Sequence, residues 1–559
     1  MVGTSKPSFF SYLGIWTLLL ILQCDLSGAS AFGADSAYMD QPLAIMAVAG
    51  LERVEKDLIH LGEVSGNKKP AQQLQILQKK LQQFPGIDRQ RPIGGMLVLH
   101  REKLELPTFL VMLPVTDGEK FVTAFKKKVP VVQTIKKGNW KINIPNMPLY
   151  ANLQDKYLLI AQRRNTHQHV TSEMLKSLET QTRQNDVSVS LLQAGISDPL
   201  RNRIIEGFQI ELNKELEQKP NEKDKEYALR KELIELIRLT GLQLFTKMEQ
   251  ISATLQIESD IQLSAEFKVA QESDLSDVLA SLPLAEKRVP GVSTESRPVR
   301  IQFSLNIPQP FQVFALNILK QVREDVRRDL SPHLAEADRM PVRGAFDAIQ
   351  QSIDDGKLDG LIEFQEIEET RMVLIGGLRI LGNSLMATSL ETILPYARDS
   401  KDITEVEMNV INNEHLKLHR LKGKEPRDED RRLYGDELSL FVGTGANSLW
   451  LSVGGEKTPE LISDLSSHDA KPVESIVQID FSFDPWLRLG EKHQQDLEKV
   501  KRFRQAFPDD QNDKVHFDIK SSASGFNATL HAESGYLKLL GLAMEKSEAE
   551  KQAAPETTR

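Results

Sequence analysis

Two alternating runs of apolar and polar residues, joined by a short polar turn, are the clearest structural signal in the chain. Apolar residues occupy every second position in residues 253–257 and again in residues 261–269, with Ser259 and Asp260 between the runs. This period of two predicts a β-hairpin with one buried face. Ser273 then precedes apolar residues at helical spacing, so it is expected to cap a helix there.

Three further stretches predict the same strand–turn–strand–helix unit. Their strands are expected at residues 95–100 and 107–115, 361–367 and 371–380, and 515–519 and 526–530. Extra short strands follow the first and third units, at residues 140–144, 149–153, 157–161, 406–411, 416–421, 438–442 and 449–453. The intervals in sequence between the starts of the four units are long, then short, then long. This pattern indicates an ancient internal duplication rather than a solenoid, whose repeat length would be short and constant.

Helical periodicity fills several of the intervals between these strands. The predicted helices cover residues 41–84, 200–218, 223–247 and 311–330. Thr116 and Glu119 match a capping box, and Asn383 is expected to cap the helix of the third unit. Hairpins that alternate with helices predict an α+β protein with largely antiparallel sheets covered by long helices.

The N-terminus has the pattern of a secretory signal peptide. An apolar run at residues 12–22 is followed by Ala29 and Ala31, which form an A-x-A cleavage motif. The run is short for a transmembrane helix, so cleavage after Ala31 is expected and no stable membrane anchor is predicted. An alternative is a lipoprotein acylated at Cys24, but Gln23 precedes that cysteine where a small residue is expected.

Composition limits the functions that the chain can have. The chain has 559 residues, 27% of them charged, a net charge of −9 and a single cysteine, Cys24. Removal of the leader would leave a cysteine-free mature chain without disulfides or thiol chemistry. A net acidic chain does not have the basic face of a general nucleic-acid binder.

We predict five segments along the chain. They are a signal peptide (1–31), an N-terminal helical segment (32–90), a first α+β repeat region (91–297), a second α+β repeat region (298–545) and a disordered tail (546–559).

The histidines offer two candidate metal sites, and neither is complete. His167 and His169 are two positions apart, but no acidic or third histidine ligand is near them in sequence. His415 and His419 lack the glutamate of an H-E-x-x-H motif. A polar loop for the first pair and half-exposed strand positions for the second are the expected interpretations.

Other side chains of catalytic type also fall outside the known motifs. Residues 466–469 (Ser-Ser-His-Asp) contain triad residue types, but neighbours in sequence cannot adopt triad geometry. The acidic loop at 509–513 lacks the central glycine and terminal glutamate of a calcium loop. Glu363 and Glu366 are one carboxylate pair among many. The sequence therefore predicts no catalytic, cofactor-binding or metal-binding residue.

Signals for surface binding are equally weak. Trp140, Trp450 and Trp486 could line a glycan or peptide surface, but they are scattered along the chain, and packing in a core or at its rim is expected. Lysines at 126–128 and 136–137 could attract an anionic surface, but a solvated helix end and loop suit them better.

Several segments carry a resemblance to a known family. They are Pro85-Gly86-Ile87-Asp88 with Arg91-Pro92, Leu113-Pro114-Val115-Thr116-Asp117, Glu226-Tyr227-Ala228-Leu229-Arg230, Asp359-Gly360, Tyr434-Gly435-Asp436-Glu437-Leu438 and Gly535-Tyr536-Leu537-Lys538-Leu539-Leu540-Gly541. In this order they resemble a family of uncharacterised secreted proteins from planctomycete bacteria. The resemblance implies export in a bacterium with an unusual envelope, and it carries no activity, cofactor or functional residue.

These patterns favour a non-catalytic exported protein, periplasmic or extracellular, that binds an envelope protein or ligand or has a structural role. A carrier of an apolar ligand is the alternative, because long helices over an antiparallel sheet can enclose a cavity. A hydrolase whose site is built from dispersed residues is the third hypothesis.

Overall fold

A computed structural model describes most of the chain after the predicted leader. It covers residues 42–66, 79, 84–99, 108–128, 132–144, 147–284, 297–368, 371–467, 474–494, 497–508 and 511–543. The predicted cleavage motif with Ala29 and Ala31, the cysteine Cys24 and the predicted disordered tail lie outside the described residues.

The described strands form a single antiparallel sheet. They are β1 (Pro42–Val48), β2 (Ile93–Val98), β3 (Thr108–Pro114), β4 (Val132–Lys136), β5 (Asn139–Ile144), β6 (Met147–Gln154), β7 (Tyr157–Ala161), β8 (Val187–Leu192), β9 (Met248–Ile257), β10 (Ile261–Val269), β11 (Val299–Asn306), β12 (Lys357–Glu368), β13 (Arg371–Arg379), β14 (Ile403–Asn412), β15 (Leu416–Gly423), β16 (Ser439–Gly445), β17 (Ser448–Gly454), β18 (Ser475–Ser482), β19 (Lys514–Ser522) and β20 (Gly525–Ala532).

Helices connect these strands. They are α1 (Leu51–Ser65), α2 (Gly118–Lys128), α3 (Ser172–Gln181), α4 (Asp198–Glu215), α5 (Asp224–Lys247), α6 (Asp274–Ser281), α7 (Gln309–Leu330), α8 (Arg339–Asp354), α9 (Asn383–Ile393), α10 (Asp428–Tyr434), α11 (Thr458–Ser467), α12 (Asp484–Lys492), α13 (Leu497–Ala506) and α14 (residues 535–543). The predicted α+β class with a large antiparallel sheet is therefore confirmed.

The order of the strands across the sheet is symmetric about its centre. Read from one edge to the other, the order is β4-β5-β6-β7-β3-β2-β1-β8-β9-β10-β20-β19-β18-β11-β12-β13-β17-β16-β15-β14, and every neighbouring pair is antiparallel. Adding ten to each strand number in one half gives the order of the other half. The central pair is β10 with β20, so the two halves meet through backbone hydrogen bonds.

Hydrophobic cores lie at both ends of the sheet. On one face, Leu175 and Leu178 of α3 pack on β1, β2, β3 and β7, and Ile462 and Leu465 of α11 pack on the strands of the other end. On the opposite face, α2 and α9 occupy corresponding places. Near the centre of this second face, α6 packs on one end of β10 and β20, and α1 and α14 pack on the other end.

The first predicted helix is wrong at its start. Residues 42–48, which fall within the helical prediction for 41–84, form β1. Ile45 and Ala47 alternate as the buried residues of this strand, and β2 and β8 pair with it on both sides. Tertiary pairing therefore decides the structure of a short apolar segment that also fits a helix.

Two predicted helix caps are also wrong. At α2 the Asp117 carboxylate, rather than Thr116, accepts from the Lys120 amide at 2.9 Å, while the Thr116 hydroxyl donates to the carbonyl of Gly86. At α9 the N-cap is Gly382, and the Asn383 side chain donates instead to the carbonyl of Gly445 at 3.2 Å. Both side chains bond to another part of the fold, which the local sequence does not reveal.

Candidate functional site

One face of the sheet carries apolar side chains across most of its width. A central row on this face joins Val189, Ala253, Ala265, Ala528 and Ile519 on five neighbouring strands, and we call it the alanine row. The register continues the row without a polar side chain to Met46 on one side and to Val477, Phe303 and Leu378 on the other. We call this side of the sheet the apolar face.

The rows on either side of the alanine row are also apolar and bulkier. One of them contains Leu255, Leu263, Leu530, Phe517 and Ile479. The other contains Leu191, Ile251, Phe267 and Phe526. Because residues two apart on a strand lie about 7 Å apart, the small side chains form a shallow trough between two larger rows.

Much of the apolar face is open to solvent. Six exposed large side chains of the sheet lie on it, namely Phe109, Leu191, Ile251, Ile362, Leu378 and Leu451. The two most open, Leu451 and Phe109, have exposed fractions of 52% and 50%. Ala253 and Ala265 are exposed as well, although they sit near the middle of the sheet.

The prediction that this side of the β9–β10 hairpin is buried is therefore wrong for its central part. On β8 the exposure is even reversed, because Ser188 and Ser190 of the opposite face are buried while Leu191 is exposed. Exposed apolar side chains that lie next to each other on neighbouring strands, as Leu191, Ile251, Ala253 and Ala265 do, are typical of a binding surface.

Two helical assemblies flank the centre of the apolar face. At one end α6 packs around Phe267 and Phe526, whose ring centroids lie 6.4 Å apart. At the other end Leu537 of α14 and Leu61 of α1 pack around Ile261. The alanine row runs between these two assemblies.

Long helices beside α6 add further exposed apolar side chains. Helices α5 and α7 run antiparallel, joined by Lys225 to Asp325 at 3.2 Å and by Asn317 to Glu232 at 2.6 Å. They expose apolar residues that a closed core would bury, namely Leu233, Ile237, Leu239, Val313, Ile318 and Val322.

The opposite face is polar at the centre of the sheet. One of its rows joins Ser188, Thr254, Ser264, Thr529 and Asp518. In a neighbouring row the His516 ring lies 2.6 Å from the Asp480 carboxylate through Nδ1. Several of these polar side chains, including Ser188 and Asp518, are buried.

A buried ion pair lies on the polar face in the second half of the sheet. The Arg297 guanidinium pairs with the Glu363 carboxylate, and the Gln365 amide also donates to Glu363. Glu363 is fully buried, whereas Glu366 points to the other face and pairs with Arg488 at 2.5 Å. The two glutamates therefore do not form an acid/base pair.

A pair of carboxyl groups joins α1 to the start of β8. Asp186 is buried, and one of its oxygens lies 2.6 Å from Nε of Arg53. Burial, and then a hydrogen bond with Asp186, raise the pKa of Asp57 to about 7. Arg53 also donates to the carbonyls of Arg183 and Gln184, so the group fixes the helix to the loop before β8.

The predicted histidine pairs do not form metal sites in the described part of the chain. His167 lies 3.1 Å from the carbonyl of Tyr150 through Nε2, and burial lowers its pKa. His419 is buried rather than half-exposed: its Nδ1 accepts from the amide of Asn409 at 3.1 Å, and burial lowers its pKa. Among the described residues, no group of three or more potential ligands of the His, Cys, Asp or Glu type could hold a metal ion.

The remaining candidate residues have structural contacts. The Ser466 and Ser467 hydroxyls donate to carbonyls of their own helix, α11, while His468 and Asp469 lie outside the described residues. Asp513 is buried and accepts from the Ser482 hydroxyl at 2.6 Å. Residues 509 and 510 of the same acidic loop also lie outside the described residues.

The tryptophans do not line a surface together. Trp140 and Trp450 are buried in separate cores. Trp486 packs edge-on against Phe364 with 5.7 Å between ring centroids. Among the lysines of α2, Lys126 donates to the Thr134 hydroxyl at 2.8 Å.

Two cavities in the described part of the molecule have charged side chains in their walls. The larger, of about 600 Å³, has Asp117, Glu119, Lys120 and Lys127 in its wall. The smaller, of about 260 Å³, lies between α7 and α8. Neither cavity is lined by the residues of the apolar face.

Comparisons of the chain with protein-family models, curated proteins and solved structures found no match. In the part of the chain that the structure describes, no helix has the length and apolar character needed to cross a membrane.

Proposed function

We propose that the chain is a non-catalytic exported binding protein that holds an extended apolar ligand, such as the acyl chains of a lipid, on the apolar face. The observation that carries the proposal is that six of the seven exposed large apolar side chains on the described strands lie on this face, the seventh being Ile135 of the edge strand β4. Ala253 and Ala265 are exposed between bulkier rows, which gives the face a trough rather than a flat surface.

An acyl chain suits the trough for two physical reasons. Backbone amides and carbonyls of these strands hydrogen-bond to each other across the sheet. The floor of the trough therefore has no backbone group that needs a polar partner from the ligand. Removing apolar surface from water contributes about 25 cal/mol per Å² on both sides of the contact. A long, thin apolar ligand therefore gains the most binding free energy where a continuous row of apolar side chains crosses many strands.

Filling the trough tests the proposal. Ala265→Leu adds a larger side chain at its exposed centre, and Ser264→Leu places the same side chain one residue away on the polar face. We expect the wild-type protein to bind a fluorescent fatty acid, and Ala265→Leu to weaken the binding about tenfold or more, a loss of about 1.4 kcal/mol. Fluorescence titration measures the affinity.

The matched variant separates occupation of the trough from a general effect of leucine. Ser264→Leu is expected to bind the fatty acid within about twofold of wild type, a difference below about 0.5 kcal/mol. Equal affinities for wild type and Ala265→Leu, or no binding by the wild-type protein, would contradict the proposal. Thermal unfolding of all three proteins checks that each is folded.

Export is a second part of the proposal. It is supported by the apolar run and the A-x-A motif at Ala29 and Ala31, and by the resemblance to secreted planctomycete proteins. N-terminal sequencing of the protein from its own cells tests it. A mature chain that begins at Phe32 supports export, and an intact Met1 in the cytoplasmic fraction opposes it.

Duplication is a third part. The repeated strand order of the two halves supports it, as does the reuse of a strand, a helical connection and a hairpin in β1–β3, β8–β10, β11–β13 and β18–β20. The meanders β4–β7 and β14–β17 are then insertions that follow the first and third units. An alignment of the two halves in related sequences tests this origin.

A further inference from the structure

Five cationic side chains line the smaller cavity, which we call the basic cavity. It has a volume of about 260 Å³ between α7 and α8. The cations in its wall are Lys320, Arg323, Arg327, Arg339 and Arg343. Glu324 is the acidic residue of this wall. The wall of the basic cavity is therefore positively charged, whereas the whole chain has a net charge of −9.

Carboxylates of the described residues pair with only part of the positive charge of the cavity. Arg323 pairs with Asp347 at 3.1 Å, and Glu324 lies at the limit of ion-pair distance, 4.0 Å, from Lys225. Within the residues that the structure describes, no carboxylate forms an ion pair with Lys320, Arg327 or Arg339. Like charges held close together cost free energy unless an anion joins them.

The rest of the lining is apolar. Leu334 and Val342 are buried there, and Val326 and Phe346 complete the apolar part. A cavity with several cations beside an apolar floor suits a ligand that has one anionic group and one small organic part.

We propose that the basic cavity binds the phosphate group of a small phosphorylated ligand. Arginine presents two parallel N–H donors that match two phosphate oxygens, and it remains charged at all physiological pH values. A phosphate group carries one negative charge as a diester and close to two as a monoester at neutral pH, so both forms suit a cavity with several cations.

The same chemistry could come from a free phosphate ester or from a lipid headgroup. Val322 and Met340 lie on the two helices that form the cavity and are exposed, Met340 to 68%. These side chains could touch acyl chains if the headgroup belonged to a membrane. The experiment distinguishes the two sources, and the inference does not depend on the function of the apolar face.

Removing two unpaired cations tests the inference. Arg327→Gln with Arg339→Gln changes two exposed side chains of the cavity, so folding is expected to be kept. Arg328→Gln is the matched control, because Arg328 is exposed, bonds to Asp325 and Asp329 and does not line the cavity. Binding is measured by calorimetry with glycerol 3-phosphate and by sedimentation with phosphatidylglycerol vesicles, with phosphatidylcholine vesicles for comparison.

We expect wild-type protein and Arg328→Gln to bind at least one of the two phosphate probes, and the double variant to bind it about tenfold more weakly or worse. Binding of glycerol 3-phosphate alone assigns a free ester. Selective sedimentation with phosphatidylglycerol assigns a lipid headgroup. No binding of either probe, or equal binding by the double variant and wild type, overturns the proposal. The Ala265→Leu variant should keep this binding whether or not the apolar face binds lipid.

Discussion

At the residue scale, Asp57 shows how one carboxyl group couples folding to pH. It faces Asp186 and lies 3.9 Å from Nε of Arg53, in a half-buried place between α1 and the loop before β8. Burial and the neighbouring carboxylate raise its pKa from 3.8 to about 7. The folded chain therefore keeps a proton that the unfolded chain releases.

The sign of the pH effect follows from this pKa. Between about pH 4 and pH 7 the unfolded state loses its proton at Asp57 first, so stability falls as pH rises through this window and then stays constant. Asp57→Asn keeps a polar group but cannot ionise. We expect it to increase the free energy of unfolding by about 1–2 kcal/mol at pH 8, after allowance for solvent screening, and to have little effect near pH 4.

Urea unfolding at the two pH values measures this difference. Glu63→Gln removes an exposed carboxylate from the same helix and is expected to show no such pH dependence. An equal difference between Asp57→Asn and wild type at pH 4 and pH 8 would contradict the prediction, because it would mean that the pKa of Asp57 is the same in the folded and unfolded states.

At the element scale, α6 is the helix whose sequence signals agree best with its structure. The predicted cap, Ser273, accepts from the amide of Ser276 at 3.2 Å, and the Ser276 hydroxyl accepts from the amide of Ser273 at 3.1 Å. This reciprocal capping box is buried and holds the helix over one end of β10 and β20. Local chemistry decides such a helix start.

Removing this cap gives an element-scale prediction. Ser273→Ala is expected to lower the free energy of unfolding by about 1–2 kcal/mol, because the buried amide of Ser276 loses the Ser273 hydroxyl and the carbonyl of Ala270 loses its bond from the same hydroxyl. Ser281→Ala, in the last turn of the same helix, removes an exposed hydroxyl that bonds only to the carbonyl of Val278 and should change it by less than about 0.5 kcal/mol. Urea unfolding of both variants compares the two effects, and equal losses would rule out the capping role.

Elements whose structure depends on distant partners were not predictable. Residues 42–48 fit a helix by composition, but pairing with β2 and β8 makes them a strand. Asn383 has the chemistry of a cap, yet it bonds to Gly445 of a distant strand. The sequence pattern reports local preference, and the contacts that override it are far away in the chain.

At the scale of the whole molecule, the alternation of apolar and polar residues predicted most strands of the sheet, but it did not predict which helices cover each face. The period of two in residues 253–269 shows that Ala253 and Ala265 share a side, and the structure agrees. It does not show that the helices of the described residues leave Ala253 and Ala265 exposed. The cations of the basic cavity were detectable in part, since Lys320, Arg323 and Arg327 recur at helical spacing on α7, but Arg339 and Arg343 join them only through the packing of α8.

The symmetric order of the strands places the alanine row at the centre of the molecule. Ala265 and Ala528 face each other across the β10–β20 pair, where the two halves meet. Both halves therefore contribute to one trough, and neither half alone contains its full length. A ligand that fills the trough must therefore be long enough to cross the junction between the two halves.

Native mass spectrometry can test directly whether the apolar face holds a lipid. The sample is the protein purified from its own exported fraction, and solvent extraction is applied to the same sample. We predict an additional mass that matches one or more lipids, present in wild type and in Ser264→Leu and lost in Ala265→Leu. A bare chain in the native spectrum, together with no lipid in the extract, would contradict a ligand-binding role for the apolar face.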